Sequence, residues 1–192
     1  PKCRVRGKVG CPICANNAVL TGFNDLATTY PSLAAQWGQK KNGTLTPQQV
    51  TAGSDKKVWW ICEKGHEWKA SVMNRTRRGD GCPYCSNRKV LAGFNDLATI
   101  APGIAAQWHP SRNGSLTPQD VVAGTMRNVW WQCPLGHEWE AAISKRVLHQ
   151  DKCPYCVNRR VWPGFNDLAT LEPEIAAQWH PALNGPLTAH TV

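Results

Sequence analysis

The chain has 192 residues, of which 22 are Lys or Arg and 13 are Asp or Glu, so its formal net charge is +9. Its longest apolar run, 58–62, is far shorter than the roughly 20 residues that a membrane-spanning helix needs, and no signal-peptide core follows the basic first residues. Ten tryptophans and 42% hydrophobic residues exclude a disordered chain. Because no export signal is visible, we expect a cytoplasmic protein without membrane contacts, whose nine cysteines bind metal rather than form disulfides.

The sequence repeats itself with a period of 71 residues. Residues 11–81 match 82–152 at 38 positions, and 82–121 match 153–192 at 27, without insertions or deletions. Such an array stacks copies of one small unit. Because the copies are cut out of frame at both ends and the chain starts at Pro1, we interpret it as a fragment of a longer array. We divide it into an incomplete zinc knuckle at 1–18, helical segments at 19–54, 90–125 and 161–192, and zinc modules at 55–89 and 126–160.

The middle copy illustrates the elements of the helical segment. Asp96, in Phe-Asn-Asp-Leu, predicts a helix N-cap, and Pro102 predicts the start of a second short helix. Thr117 followed by proline predicts a third helix start. The aspartate recurs in every copy, where a capping role accounts for it better than acid–base chemistry. We expect the helices to pack around core tryptophans, which are Trp37, Trp108 and Trp179.

The zinc module that follows has the pattern of a β-hairpin. Residues 129–133 are β-prone, 134–136 form a tight turn, and 137–141 alternate between apolar and polar side chains. A basic stretch then leads into a Cys-Pro-Tyr-Cys knuckle. The sequence therefore predicts an α+β fold, in which zinc-ribbon or treble-clef-like hairpin modules repeat in tandem and are joined by short helical segments.

Each complete zinc module carries three cysteines and one histidine with identical spacing. The pattern is Cys-x3-His, fifteen residues, then Cys-x2-Cys. Zinc favours tetrahedral sulfur and nitrogen ligands, and three cysteines with one histidine form a known structural set. The expected Zn²⁺ ligands are Cys62, His66, Cys82 and Cys85 in one module, and Cys133, His137, Cys153 and Cys156 in the next.

Other interpretations explain this pattern less well. Disulfides leave both histidines unexplained and need an oxidising compartment. A catalytic zinc keeps one position open for water, whereas four protein ligands close the coordination sphere. The zinc deaminase pattern also differs, because Glu67 directly follows His66 and Cys62 supplies a fourth ligand. We therefore expect structural zinc and no enzymatic activity.

Three cysteines lie outside these two sets. Cys11 and Cys14 repeat the knuckle and form half of a further zinc site, whose completion the sequence leaves open. Cys3 does not belong to the repeat pattern. It is either a free thiol or a third ligand of an improvised site.

These motifs resemble a known family. Trp-Trp-x-Cys-x3-His-Glu-Trp, then arginine and Cys-Pro-Tyr-Cys-x-Asn-Arg, together with Phe-Asn-Asp-Leu and Ala-Ala-Gln-Trp, are similar to a probable zinc-ribbon repeat family. This family occurs mostly in bacterial proteins, often in tandem and sometimes beside nuclease-type domains. The resemblance covers essentially the whole chain. It implies four zinc ligands per unit at the positions named above, and it loosely implies nucleic-acid binding.

Basic charge is concentrated around the zinc ligands. The stretches 1–18, 55–89 and 126–160 sum to +12, whereas the helical segments sum to −3. This asymmetry is expected of a phosphate-contacting surface, although it also fits a solvated surface that keeps the protein soluble. The candidate nucleic-acid contacts are Arg75, Arg77, Arg78, Arg88, Lys89, Lys145, Arg146, Arg159 and Arg160.

Two details remain open from the sequence. Asn87 and Asn158 either reach a base or finish a turn. The adjacent tryptophans of each hairpin serve either core packing, which we favour, or base stacking. The preferred function is a non-enzymatic, zinc-dependent nucleic-acid-binding array, with double-stranded DNA as the expected partner and RNA as a weaker choice. The alternative is a scaffold whose helical segments bind protein partners.

Overall fold

The structure is a computed structural model and describes residues 11–192, so Cys3 and most of the predicted knuckle at 1–18 lie outside the described residues. The described residues divide into two compact units, 11–89 and 90–192. Unit 1 contains α1 (Leu26–Thr29), α2 (Pro31–Ala34), α3 (Gln39–Asn42), β1 (Lys57–Ile61), β2 (Glu67–Ser71) and α4 (Val72–Arg77). Unit 2 contains α5 (Leu97–Ile100), α6 (Pro102–Ala105), β3 (Asn128–Gln132), β4 (Glu138–Ala142), α7 (Ile143–Leu148), α8 (Leu168–Leu171) and α9 (Pro173–Ala176).

The predicted caps begin the short helices. The Asp96 carboxylate accepts a hydrogen bond from the Thr99 backbone N–H at 3.0 Å and one from the Gly93 N–H at 2.7 Å. Burial acts to raise the pKa of Asp96, but these hydrogen bonds outweigh it and the pKa lies below its ordinary value. The carboxylate is therefore ionised at neutral pH and stabilises the first turn, as the capping role predicted.

Prolines occupy the first turn of several other short elements. Pro102 occupies the first turn of α6, as predicted. Thr117 and Asp120 form a capping box around Pro118, but the element that follows is a single 3-10 turn, Pro118–Asp120, rather than an α-helix. Unit 1 has the equivalent turn at Pro47–Gln49.

The two zinc modules contain the predicted antiparallel hairpins. In β1 and β2, Trp60 lies opposite Trp68, and in β3 and β4, Trp131 lies opposite Trp139. Neighbouring residues of a strand face opposite sides. Trp131 is consequently buried, whereas Trp130 is only half-buried. The preference for core packing over base stacking is confirmed for the buried member of each pair.

The helical segments at 19–54 and 90–125 each pack on the hairpin that follows them. The Trp108 and Trp131 rings meet edge to face, with centroids 5.6 Å apart. The Asn113 side chain accepts a hydrogen bond from the Trp130 backbone N–H at 2.8 Å and donates one to the Trp130 carbonyl at 2.9 Å. In unit 1 the Trp37 ring meets that of Trp60, and the Asn42 side chain makes the same two hydrogen bonds with the Trp59 backbone. The helical segments are therefore part of the hairpin cores and not separate linkers.

One buried arginine packs against the core tryptophans of each unit. Arg146 lies on α7 with only 4% of its surface exposed, and its guanidinium stands 5.0 Å from the ring centres of Trp131 and Trp139. It donates hydrogen bonds to the Gln107 side-chain oxygen at 2.5 Å and to the Asp151 carbonyl at 2.7 Å. Burial lowers the pKa of Arg146 from its ordinary value.

Arg75 has the same surroundings in unit 1, between Trp60 and Trp68. It donates hydrogen bonds to the Gln36 side chain and to the Asp80 carbonyl. The prediction that Arg75 and Arg146 contact nucleic acid is therefore wrong, because both guanidinium groups lie inside the protein. The basic stretches that contain these arginines were also not predicted to be helical, whereas Arg75 lies on α4 and Arg146 on α7.

The core prediction holds for two of the three helical-segment tryptophans. Trp37 is buried and Trp108 packs against the core of unit 2. Trp179 is only half-buried, so the core prediction is not met at this position. Its indole N–H still donates to the Leu187 carbonyl at 3.2 Å.

Replacing Arg146 with alanine should destabilise unit 2 by about 3 kcal/mol, because it removes two hydrogen bonds and leaves buried acceptors without a donor. Thermal unfolding of the zinc-loaded protein, followed by tryptophan fluorescence, measures this effect. Lys145→Ala is the matched control, since its side chain is exposed on the same helix. Equal melting temperatures for the two variants would contradict the structural role of Arg146.

Candidate metal centres

The hairpin bend presents the first two ligands of each site. Cys133 follows β3 and His137 precedes β4, and the Cys133 N–H donates to the His137 carbonyl at 3.0 Å. Gly136 has a φ of 83°, a backbone conformation that residues other than glycine rarely adopt. This bend directs both side chains toward the same point, and Gly65 at φ 79° allows the equivalent bend between Cys62 and His66.

The Cys-Pro-Tyr-Cys knuckle presents the other two ligands. In unit 2, the Val157 N–H donates to the Cys153 carbonyl at 3.2 Å and the Asn158 N–H donates to the Tyr155 carbonyl at 3.1 Å. Asn158 has a φ of 54°, and Asn87 has a φ of 55°. The left-handed conformation places both asparagines at the end of a tight turn. The structure thus favours the turn over base contact for these two residues.

The two ligand sets converge. In each module the sulfur atoms and one imidazole nitrogen all lie within 4.8 Å of one another. In the second site, Cys133 Sγ is 3.8 Å from Cys156 Sγ, and His137 Nδ1 is 3.3 Å from Cys156 Sγ. All eight predicted ligands of the two complete sites are brought together.

These distances fit zinc. Bonds of about 2.3 Å to sulfur and about 2.1 Å to nitrogen give tetrahedral edges of about 3.8 Å between sulfurs and about 3.6 Å between sulfur and nitrogen. The first site shows 3.9 Å between Cys62 and Cys85 sulfurs and 3.6 Å between Cys82 Sγ and His66 Nδ1. A metal of zinc's size therefore matches both sites, with Nδ1 as the histidine ligand atom.

The thiols need a cation in order to ionise together. Burial acts to raise the pKa of Cys133, but backbone N–H groups of His137 and Leu135 lower it overall. For Cys156, burial and then the neighbouring sulfurs of Cys153 and Cys133 raise the pKa to about 12. One thiolate thus suppresses ionisation of the next. A bound dication removes this repulsion, and the filled site then carries a net charge of −1.

Aromatic rings cover the second site. The His137 ring lies 4.3 Å from Phe165, 5.2 Å from Trp162 and 5.5 Å from Tyr155, measured between ring centres. His137 is 3% exposed. Trp162 and Phe165 belong to the following helical segment, and apart from their apolar character nothing in the sequence indicated this contact. They restrict solvent access to the imidazole ligand.

Cys11 and Cys14 form a knuckle with the same backbone as the complete ones. The Ala15 N–H donates to the Cys11 carbonyl at 2.9 Å, and Asn16 has a φ of 58°. The Asn24 side chain holds this knuckle through the Ile13 carbonyl at 2.9 Å. Among residues 11–192, the groups of three or more metal ligands are the two complete sites. A zinc ion at Cys11 and Cys14 remains a prediction.

The remaining predicted nucleic-acid contacts lie on the surface. Arg88 pairs with Asp80 at 3.0 Å, and Arg159 lies 3.7 Å from Asp151. Both pairs are largely solvent-exposed and contribute little to stability. The exposed members of the predicted set are Arg77, Arg78, Arg88, Lys89, Lys145, Arg159 and Arg160.

The family of the chain follows from its two zinc units. A family model described as a probable treble clef zinc finger domain matches residues 33–88 and 104–159, which together exceed half of the chain. The chain belongs to this family. The match confirms the expected tandem zinc-finger fold, and each matched segment includes one complete ligand set. No curated protein matches the chain. No helix among residues 11–192 combines the length and apolarity needed to cross a bilayer.

Removing zinc with a chelator should unfold both hairpins, because metal binding supplies much of the folding free energy of such small modules. Circular dichroism should lose its native signal, and tryptophan emission should shift to longer wavelength as Trp60 and Trp131 become hydrated. Elemental analysis before treatment should find at least two zinc ions per chain. An unchanged spectrum after complete metal removal would refute the folding role.

Cys156→Ala should reduce the zinc content by about one ion per chain, since three ligands hold the ion less tightly than four. Val157→Ala is the control, because Val157 follows Cys156 directly in the sequence, has an exposed side chain and does not belong to the ligand cluster. Retention of full zinc content in Cys156→Ala during dialysis against a weak chelator would exclude Cys156 as a ligand.

Proposed function

We propose that the protein is a non-enzymatic nucleic-acid-binding array that contacts mainly the phosphates of double-stranded DNA. The concentration of exposed cations on the zinc modules carries this proposal. The modules at 55–89 and 126–160 carry formal charges of +5 and +3, whereas the helical segments at 19–54, 90–125 and 161–192 carry +1, −1 and −3. Two filled zinc sites reduce the summed charge of these modules by about two, and the buried Arg75 and Arg146 account for two more of their positive charges. About +4 then remains on the modules against −3 on the three helical segments, so the asymmetry persists in a smaller form.

The cations most available to phosphate lie at the ends of α4 and α7 and after the knuckles. Arg77, Arg78, Lys145 and Arg160 are exposed and make no ion pair among the described residues. Arginine and lysine at such sites release condensed counterions from DNA and so contribute to affinity.

The tryptophans support duplex contact over single-strand stacking. The buried indoles cannot meet a base, and each outer indole is already covered by a cation. Lys41 stands 4.5 Å from the Trp59 ring centre, and Arg112 stands 4.5 Å from that of Trp130. A stacking platform needs an open ring face. Backbone contact on a duplex requires only the surface charge.

The absence of enzymatic activity is part of the proposal. Four protein ligands close each described zinc site, which leaves no coordination position for a water nucleophile. Asp96 caps a helix, and its carboxylate accepts hydrogen bonds from the backbone N–H and the hydroxyl of Thr99, which accounts for its place in the repeat. These features support structural zinc.

A protein-binding role is the second candidate, and one observation favours it in unit 2. Met126, Leu135 and Leu148 are 81%, 65% and 67% exposed. The corresponding residues of unit 1 are Asp55, Lys64 and Arg77. Exposed apolar side chains are more typical of protein interfaces than of phosphate-contacting surfaces.

The deciding measurement is binding to a labelled duplex of about 20 base pairs at several salt concentrations. The logarithm of the affinity should fall linearly with that of the salt concentration, with a slope of about −4 if four phosphates are neutralised. Single-stranded DNA and duplex RNA serve as comparisons on the same zinc-assayed sample. Lack of duplex binding at low salt would favour the protein-binding role.

The double replacement Arg77→Ala with Arg78→Ala should weaken duplex binding and reduce the salt slope by about two, because two phosphate contacts are lost. Zinc content and melting temperature should stay unchanged. Lys40→Ala is the charge control, since Lys40 is exposed on the helical segment. The proposed surface is wrong if the control weakens binding as much as the double variant.

A further inference from the structure

The outer edge of each zinc hairpin is an open β-strand. In unit 2, Cys133 and His137 are hydrogen-bonded across the hairpin, so the register makes Trp131–Trp139 and Val129–Ala141 the other hydrogen-bonded pairs. The backbone groups of Glu138 and Glu140 consequently face away from β3. The opposite edge of the hairpin is already covered, because the Gln132 N–H donates to the Gln107 carbonyl at 2.8 Å.

The open edge presents donors and acceptors alternately. The carbonyl of Glu138, the N–H and carbonyl of Glu140 and the N–H of Ala142 point outward, and no described residue forms a backbone hydrogen bond with them on that side. The strand is bounded by the zinc bend at one end and by α7 at the other. Such an edge is a template for one further short strand.

A groove runs along this edge. It has a volume of about 350 Å³, which lies within the usual range of ligand pockets. One wall is formed by residues 139–142 of β4, and the other by the knuckle region with Pro154, Arg159 and Arg160. Unit 1 repeats the groove between β2 and its knuckle, with Lys69, Arg88 and Lys89 among its lining residues.

The groove is basic. Lys145, Lys152, Arg159 and Arg160 line it in unit 2, against the two carboxylates of Glu140 and Asp151. All four cations are exposed. An occupant with acidic side chains would therefore be attracted along its whole length.

We propose that this groove binds an extended acidic segment of a partner protein, which adds to β4 as a third strand. A phosphodiester backbone has only acceptors and would leave the carbonyls of Glu138 and Glu140 unpaired. A peptide supplies both donors and acceptors, and its carboxylates face the cations of the opposite wall. The site goes beyond the proposed DNA contact, although Lys145, Arg159 and Arg160 belong to both surfaces.

The test uses the zinc-loaded chain and a synthetic probe, acetyl-Thr-Glu-Val-Glu-Val-Glu-Thr-amide. The probe should bind, and the Glu140 and Ala142 amides should become protected from hydrogen exchange in nuclear magnetic resonance spectra. A probe with glutamine in place of glutamate should bind at least about tenfold more weakly. Equal affinity of the two probes would overturn the role of the basic wall.

Glu140→Pro is the decisive variant. Proline removes the outward N–H, whereas residue 140 donates no hydrogen bond to β3, so the hairpin should keep its zinc and fold. Probe binding should fall at least about tenfold relative to Glu140→Ala, which removes the same charge but keeps the N–H. DNA binding should be equal in the two variants.

These outcomes separate the two proposals. Equal probe affinity of folded, zinc-loaded Glu140→Pro and Glu140→Ala would overturn strand addition, whatever the DNA result. Failure of the probe to bind the unmodified chain at millimolar concentration would do the same. Loss of DNA binding alone would affect only the proposed array function.

Discussion

Metal ligation between the hairpin bend and the knuckle is the constraint on which each unit depends. The strands contain five residues each and the helices four to six, so neither element is stable alone. The zinc ligands join two segments that are fifteen residues apart and bring them within a few ångströms. This connection closes α4 or α7 over the hairpin and completes a core too small to form without it.

Inside that core, one arginine per unit orders the aromatic residues. Arg75 and Arg146 lie between two indoles and bind the glutamine of the preceding helical segment. A buried guanidinium is costly unless it is hydrogen-bonded and paired, and here carbonyl, amide and ring faces satisfy most of it. Arginine residues of the basic stretches suggested DNA contact, but these two instead connect the helix, the hairpin and the helical segment of each unit.

The surface separates into regions of different chemistry. Exposed cations beyond the knuckles and at the helix ends suit phosphates, whereas the open strand edge suits a peptide because it needs donors as well as acceptors. The two units also differ, since Leu135 and Leu148 of unit 2 replace Lys64 and Arg77 of unit 1. A repeated zinc scaffold therefore carries surfaces that have diverged while the ligands and core tryptophans are the same.

The sequence alone determined the repeat, the eight zinc ligands, the caps and the hairpins, because these depend on spacing, on short-range turn chemistry and on strand alternation. Only the tertiary structure decided which cations are exposed. Arg75 and Arg78 look alike in the sequence, but helix α4 turns the first toward Trp60 and the second toward solvent. The burial of these arginines depends on contacts with residues that are distant in the sequence, such as the hydrogen bond from Arg146 to Gln107, 39 residues away. The residues around an arginine in the sequence do not reveal such contacts.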